Sequence, residues 1–223
     1  MKSIENLWLV VLPRLILGLF IIFNIIAMLT YPGSTYHDNL SLGYSLTQNF
    51  LSDLGRTVSF SGETNFFSSL FFNMGLILTG IVFTFHYFHI WRVFLQDSPQ
   101  ILSLIGSTFG MLGGLSLIGV GLTPSDLYLD IHIICSIWLF RFFFVASLCY
   151  SVVILRHARF ENKFAGGYLF FTFSILLYIF VSEFGPDPEL NQYALAIQVV
   201  SQKIILLIFM ASIYIQTMGL KKL

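Results

Sequence analysis

Charge is what this sequence has least of. Only 10% of its residues are Asp, Glu, Lys or Arg, with 11 basic and 11 acidic side chains, so the formal net charge is zero. A soluble surface needs far more charge than that, which excludes an ordinary water-soluble domain. No nucleic-acid partner is expected of such a chain. Cysteine is nearly absent as well. Cys135 and Cys149 share one apolar run, and the helical rise over that spacing is about 21 Å. A disulfide needs Cα atoms within about 7 Å, so the two cannot bond to each other. Also missing are H-E-x-x-H, G-x-S-x-G and C-x-x-C patterns, internal repeats and low-complexity stretches. No cofactor and no metal centre is implied.

What remains is apolar. Hydrophobic residues make up 57% of the chain, 25 residues are Phe, and mean hydropathy is +0.85. Runs of roughly 20 apolar residues fit a hydrocarbon core about 30 Å thick. Six such runs lie near 7–30, 66–91, 100–122, 129–155, 165–184 and 190–217. The first carries Arg14, is long, and lacks a small-x-small cleavage site, so it reads as a retained span rather than a signal peptide. The expected fold is all-α: a single polytopic membrane domain over 1–223 with six transmembrane helices.

The few charges are unevenly spread. Lys2, Arg92, Arg156, Arg159, Lys163, Lys221 and Lys222 fall in the tails and the second and fourth loops. The first, third and fifth loops hold Arg56 as their one basic residue, beside Asp38, Asp53, Glu63, Asp126, Asp187 and Glu189. Positively charged loops stay in the cytoplasm, so both termini are expected inside, in a cell membrane.

The first outer segment, 31–65, is too long to be a simple connection, and such loops usually carry function. Tyr31-Pro32-Gly33 ends the first helix with turn chemistry. The apolar spacing Leu46, Phe50, Leu51, Leu54 predicts a short amphipathic helix over 44–54, stopped by Gly55. Pro13 is expected near the start of helix 1, and Arg14 to snorkel toward headgroups. His86 and His89 are expected at the inner interface. Helix 3 should open on Ser98-Pro99. Its Gly106, Gly110 and Gly114 form small-residue packing faces.

Thr123-Pro124-Ser125-Asp126 has capping-box spacing at the start of helix 4. Asp130, His132, Ser136 and Arg141 follow in that helix, Glu183 ends helix 5, and helix 6 carries Gln198, Gln202 and Lys203. A charge near the bilayer centre costs at least about 2.5–3.5 kcal/mol on insertion scales. Arg141 and Lys203 therefore call for partners: a salt bridge with Asp130 or Glu183, or an anionic ligand. Asp53, Asp126 and His132 could form an acid–base set if the outer segment folds onto helix 4. Ser52 beside Asp53 is a weak dyad, because adjacent helical residues point about 100° apart.

Tyr31-Pro32-Gly33, Gly43-Tyr44-Ser45, the run Asn49-Phe50-Leu51-Ser52-Asp53-Leu54-Gly55-Arg56, and Gly121-Leu122-Thr123-Pro124-Ser125-Asp126 with His132 resemble a family of six-helix membrane proteins of bacteria and archaea, catalogued as a domain of unknown function. More distantly, the six-span plan is similar to the Frag/DRAM/Sfk superfamily, which implies a lipid-related role by analogy. The zinc site of the alkaline ceramidase and adiponectin-receptor superfamily does not carry over, because His132 is the one histidine in the outer half of the helices.

These readings lead to one expectation. The chain should bind a lipid or small amphiphile in an outward-facing polar cavity, with membrane lipids as partners. Asp53, Arg56, Asp126 and His132 would line the mouth, with Ser52, Asp130, Glu183, Gln198 and Gln202 around it and Arg141 and Lys203 deeper. The alternatives are a lipid-modifying hydrolase or transferase using Asp53, Asp126 and His132, or a small transporter.

Overall fold

A computed structural model describes residues 3–94, 100–157 and 160–222. The expected helix start at Ser98-Pro99, and Lys2 and Arg159, lie outside these residues. Among the described residues there is no strand, only the isolated bridges Gly33–Leu42 and Val58–Thr64. Six helices are long and apolar enough to cross a membrane: α1 Ile4–Thr30, α2 Phe66–Phe94, α3 Gln100–Leu122, α4 Leu129–Arg156, α5 Asn162–Phe184 and α6 Gln192–Leu220. The protein is a multi-pass membrane protein. With six antiparallel spans, both termini lie at one end of the bundle, and the 31–65 segment lies at the other, called the capped end below.

Each span packs on its neighbours in sequence, and α6 returns to α1. Arg14 helps close this ring. Its Nε donates to Thr217 Oγ1 on α6 at 2.8 Å, and its guanidinium lies 5.3 Å from the Tyr214 ring centre. It thus bridges α1 and α6. Helix α1 starts earlier than expected, which places Pro13 inside it. A π turn over Leu7–Val11, with the Leu12 amide bonded to Leu7 O, comes just before the proline. Such a bulge is a common way for a helix to take up a local break in its i→i−4 ladder.

The glycines of α3 let it approach both neighbours. A Cβ on Gly110 would sit 2.2 Å from the Tyr87 ring of α2, and one on Gly106 3.0 Å from Cys149 of α4. Gly114 and Gly80 bring the backbones of α3 and α2 together, since a Cβ on Gly80 would meet Gly114 O at 2.6 Å. The expected small-residue faces are therefore in use. Both cysteines are free.

Toward the terminal end the core is closed by rings. Phe83, Phe143 and Phe171 surround Phe209 with centroids 5.0–5.3 Å from it. Beyond that floor lies a buried polar layer. Tyr150 shares a hydrogen bond with Ser107, and Tyr168 donates to Gln216 Oε1. His86 belongs to this layer. It is fully buried, with Nδ1 3.2 Å from Trp8 O, and so is not interfacial. His89 is half-buried and stacks on Trp8.

Candidate functional site: a capped cavity between six helices

The capping segment is built around one residue that sequence reasoning passed over. Asn49 is fully buried. Its Nδ2 donates to Ser34 O at 3.0 Å and to Asp53 Oδ2 at 3.3 Å, and its Oδ1 accepts from the Ser45 amide at 3.0 Å. Its carbonyl accepts from Lys203 Nζ at 2.6 Å and from Tyr44 Oη at 3.1 Å. Gly33, at φ +142°, and Ser34, at φ +71°, bend the chain so that Ser34 O faces this amide. The helix expected over 44–54 forms only as a 3-10 turn, Leu51–Gly55. The reason is local competition: Asp53 Oδ2 takes the Phe50 amide at 2.8 Å, and Asn49 takes the Ser45 amide, so side chains replace backbone partners.

Side chains from the bundle then hold this turn. Gln202 Oε1 accepts from the Leu51 amide at 2.9 Å. From α2, Ser68 Oγ donates to Leu54 O and Asn73 Nδ2 to Gly55 O, both at 3.0 Å, while Asn65 Nδ2 donates to Leu54 O and Arg56 O. A Cβ on Gly55 would lie 2.4 Å from Asn73 Oδ1 and 2.9 Å from the Phe72 ring, so a larger residue there would have to displace both side chains. On the α5–α6 side, His37 Nε2 donates to Pro188 O at 2.8 Å.

The expected contact between the 31–65 segment and the start of α4 is present, through Asp126. Its carboxylate accepts from the Thr57 amide, the Thr57 hydroxyl and the Val58 amide at 2.5–3.0 Å. Partial burial pushes this carboxyl up, but the bonds from Thr57 and Val58 outweigh it and hold it below the usual carboxylate range. Because its value is depressed on folding, the stabilisation from Asp126 is complete above the unfolded-state value and is lost as pH falls through the folded one. Asp126→Ala should loosen residues 56–64 by about 1–2 kcal/mol, since water can reach the freed amides. Hydrogen exchange at Thr57 and Val58 would report it.

Asp53 behaves in the opposite way. Burial pushes its carboxyl up to about 6, although Asn49, Arg56, the Phe50 amide and Lys203 all favour the charged form. The folded state therefore takes up a proton between about pH 6 and pH 4 that the unfolded chain does not, and stability from this group rises as pH falls through that window. The charge costs about 2–3 kcal/mol above pH 6. Asp53→Asn, which keeps an acceptor for the Phe50 amide, should leave the protein folded at pH 7 and flatten the dependence of its thermal midpoint between pH 4 and pH 6.

The remaining site candidates are spread around this end. His132 is buried, and Nδ1 lies 2.6 Å from Thr123 O, so that nitrogen carries the proton and ties the α3–α4 turn. Arg141 pairs with Glu183, joining α4 to the end of α5, and lies 5.7 Å from the Trp138 ring. Of the two partners proposed for Arg141, Glu183 is the one used; Asp130 is exposed. Gln198 Nε2 donates to Val181 O and Pro186 O and so closes the end of α5. Arg56 donates to Val58 O and stacks on Phe60 at 4.2 Å. Lys203 is committed to Asn49 O and the Tyr44 ring. Asp53, Asp126 and His132 each bind different partners, and no hydrogen bond among the described residues joins any two of them. No group of three His, Cys, Asp or Glu side chains among the described residues could hold a metal ion.

Under the cap lies a cavity of about 110 Å³. All six helices line it, through Leu17, Phe72, Leu117, Leu139, Ile175 and Leu206 among others. Leu51 and Ser52 of the cap form its roof, and Phe143 and Phe209 belong to its floor. Polar groups on the wall are few: Ser52, Thr79, Ser136 and Gln202. The Thr79 hydroxyl is buried and has no hydrogen-bond partner among the described residues. Of the expected ligand residues, only Ser52 and Gln202 face this space. It is apolar rather than polar, because the buried charges of the capped end are spent on holding the cap.

Six apolar helices in a closed ring, sealed at one end by an ordered loop, define an integral membrane protein. The chain belongs to the family described as "Protein of unknown function (DUF998)", whose family model matches residues 15–215. No curated protein and no solved structure matches it.

Proposed function

We propose that this protein binds a membrane lipid or small amphiphile, with the apolar part in the cavity under the cap and the cap as the outward-facing lid. The observation that carries this reading is the cavity itself: an apolar space walled by every span, with one unbonded buried hydroxyl, Thr79, on its wall. An apolar cavity stays dry and takes apolar guests; a space of about 150 Å³ is enough for a benzene-sized group. At about 110 Å³ the cavity is smaller than that and suits a chain end rather than a ring or a whole lipid, and the rest of the ligand would leave between helices or past the cap. Transport is less well supported, because the rings around Phe209 stand between the cavity and the polar layer beyond it. Hydrolysis is less well supported, because Asp53, Asp126 and His132 are held by separate partners. A photoactivatable fatty acid added to the full chain in detergent should label peptides of α2, α4 and α6 that line the cavity. Labelling confined to the outer faces of the helices would contradict the reading.

A further inference from the structure

We propose a second site that goes beyond this reading: the cavity between the capping segment and the α5–α6 turn takes a protonated primary amine. It has a volume of about 140 Å³, well above what one water molecule needs. Its wall includes Tyr36, Phe50, Phe60, Gln48, Asp53 and Glu189.

Three features set the sign and kind of ligand. First, both charged residues on the wall are acidic. Arg56 and Lys203, the nearest cations, do not line it and are bonded to Val58 O and Asn49 O. Second, the wall offers unused acceptors. Asp53 is only 7% exposed, and both of its hydrogen bonds go to Oδ2. Oδ1 has no hydrogen bond among the described residues. Gln48 Oε1 is fully buried and has no donor among the described residues. A buried acceptor left unpaired is costly, so the site is short of N–H or O–H donors. Third, aromatic rings surround these acceptors, and ring faces attract cations; one face of Phe60 already carries the Arg56 guanidinium at 4.2 Å, which leaves Tyr36 and Phe50 for a ligand. Glu189 adds a second carboxylate at the rim, beside Tyr36. A primary ammonium supplies a positive charge and three donors at once. A carboxylate or phosphate would meet two like charges. The amine could be free or could be the headgroup of an aminolipid.

The test is binding to the purified full chain in detergent, followed by calorimetry. Ethanolamine is the free-amine probe and a short-chain phosphatidylethanolamine the lipid probe. Choline, which has no N–H, calcium chloride and sodium acetate are the comparisons. One or both amine probes should bind, at least tenfold more tightly than choline. Asp53→Asn should weaken binding at least tenfold and Glu189→Gln several-fold. A response to the lipid probe alone assigns the amine to a headgroup, and a response to both admits a free amine. Three results would overturn the proposal: no amine binding by the folded protein, amine binding that survives both substitutions, or a preference for calcium or choline. Filling the apolar cavity with Leu117→Trp should leave ethanolamine binding unchanged, so this site and the chain-binding reading can fail separately.

Discussion

Asn49→Ala should release the capping segment. The substitution removes a buried amide and leaves Ser34 O and the Ser45 amide without partners, and Asp53 loses a donor. Each orphaned buried group costs about 1–3 kcal/mol, so the local cost is about 4 kcal/mol. Lys203 and Tyr44 then grip a carbonyl that is no longer fixed in place. The six helices do not depend on this contact, so helical content should be retained. Hydrogen exchange over residues 33–55 should rise sharply while exchange in α3 and α4 stays slow. Uniform loss of protection would mean that Asn49 supports the whole bundle. Asn49→Asp should fare no better, because it places a second carboxylate against Asp53.

Gly80→Val should weaken the bundle itself. A Cβ at this position meets two backbone atoms of α3, Gly114 O at 2.6 Å and the Ile118 amide nitrogen at 2.9 Å. Backbone cannot rotate away as a side chain can, so α2 and α3 must separate. Overpacking of this kind costs typically 1–3 kcal/mol and sometimes more; with two branches added, about 3 kcal/mol is expected. The thermal midpoint in detergent should fall by many degrees. Gly18→Val is the control, because a Cβ there meets nothing within 4 Å.

The helices were legible because hydropathy over twenty residues is a strong signal, and all six spans fall within about three residues of their expected ends. The first begins earlier than its apolar core, since Glu5 and Asn6 continue the helix as polar residues. The glycine faces of α3 were legible because their spacing is itself the packing rule. The cap was only partly legible. Of the apolar positions 46, 50, 51 and 54, Leu51 and Leu54 are buried, but Leu46 is exposed and Phe50 only half-buried, and periodicity cannot register that Asn49 and Asp53 divert the backbone amides. A signal for Asn49 was present: an Asn four residues before an Asp, in a segment rich in turn residues, favours side-chain-to-backbone bonding. Charges were harder to read. Lys203 and Gln202 look like ligand groups in a helix, yet both serve the cap. Their partners lie some 150 positions away in sequence, and a single sequence carries no record of that pairing. His86 was misjudged for the same reason: its partner, Trp8 O, lies on α1, far away in the chain.

The space under the cap is the proposed ligand site. Native mass spectrometry of the full chain, purified in mild detergent, compares the wild type with Leu117→Trp, whose indole would occupy that space. Wild type should carry a co-purified amphiphile or take up an added one, and the filled variant, folded by circular dichroism, should carry none. Equal loading of the two proteins, or no loading of either, would contradict a ligand site between the helices.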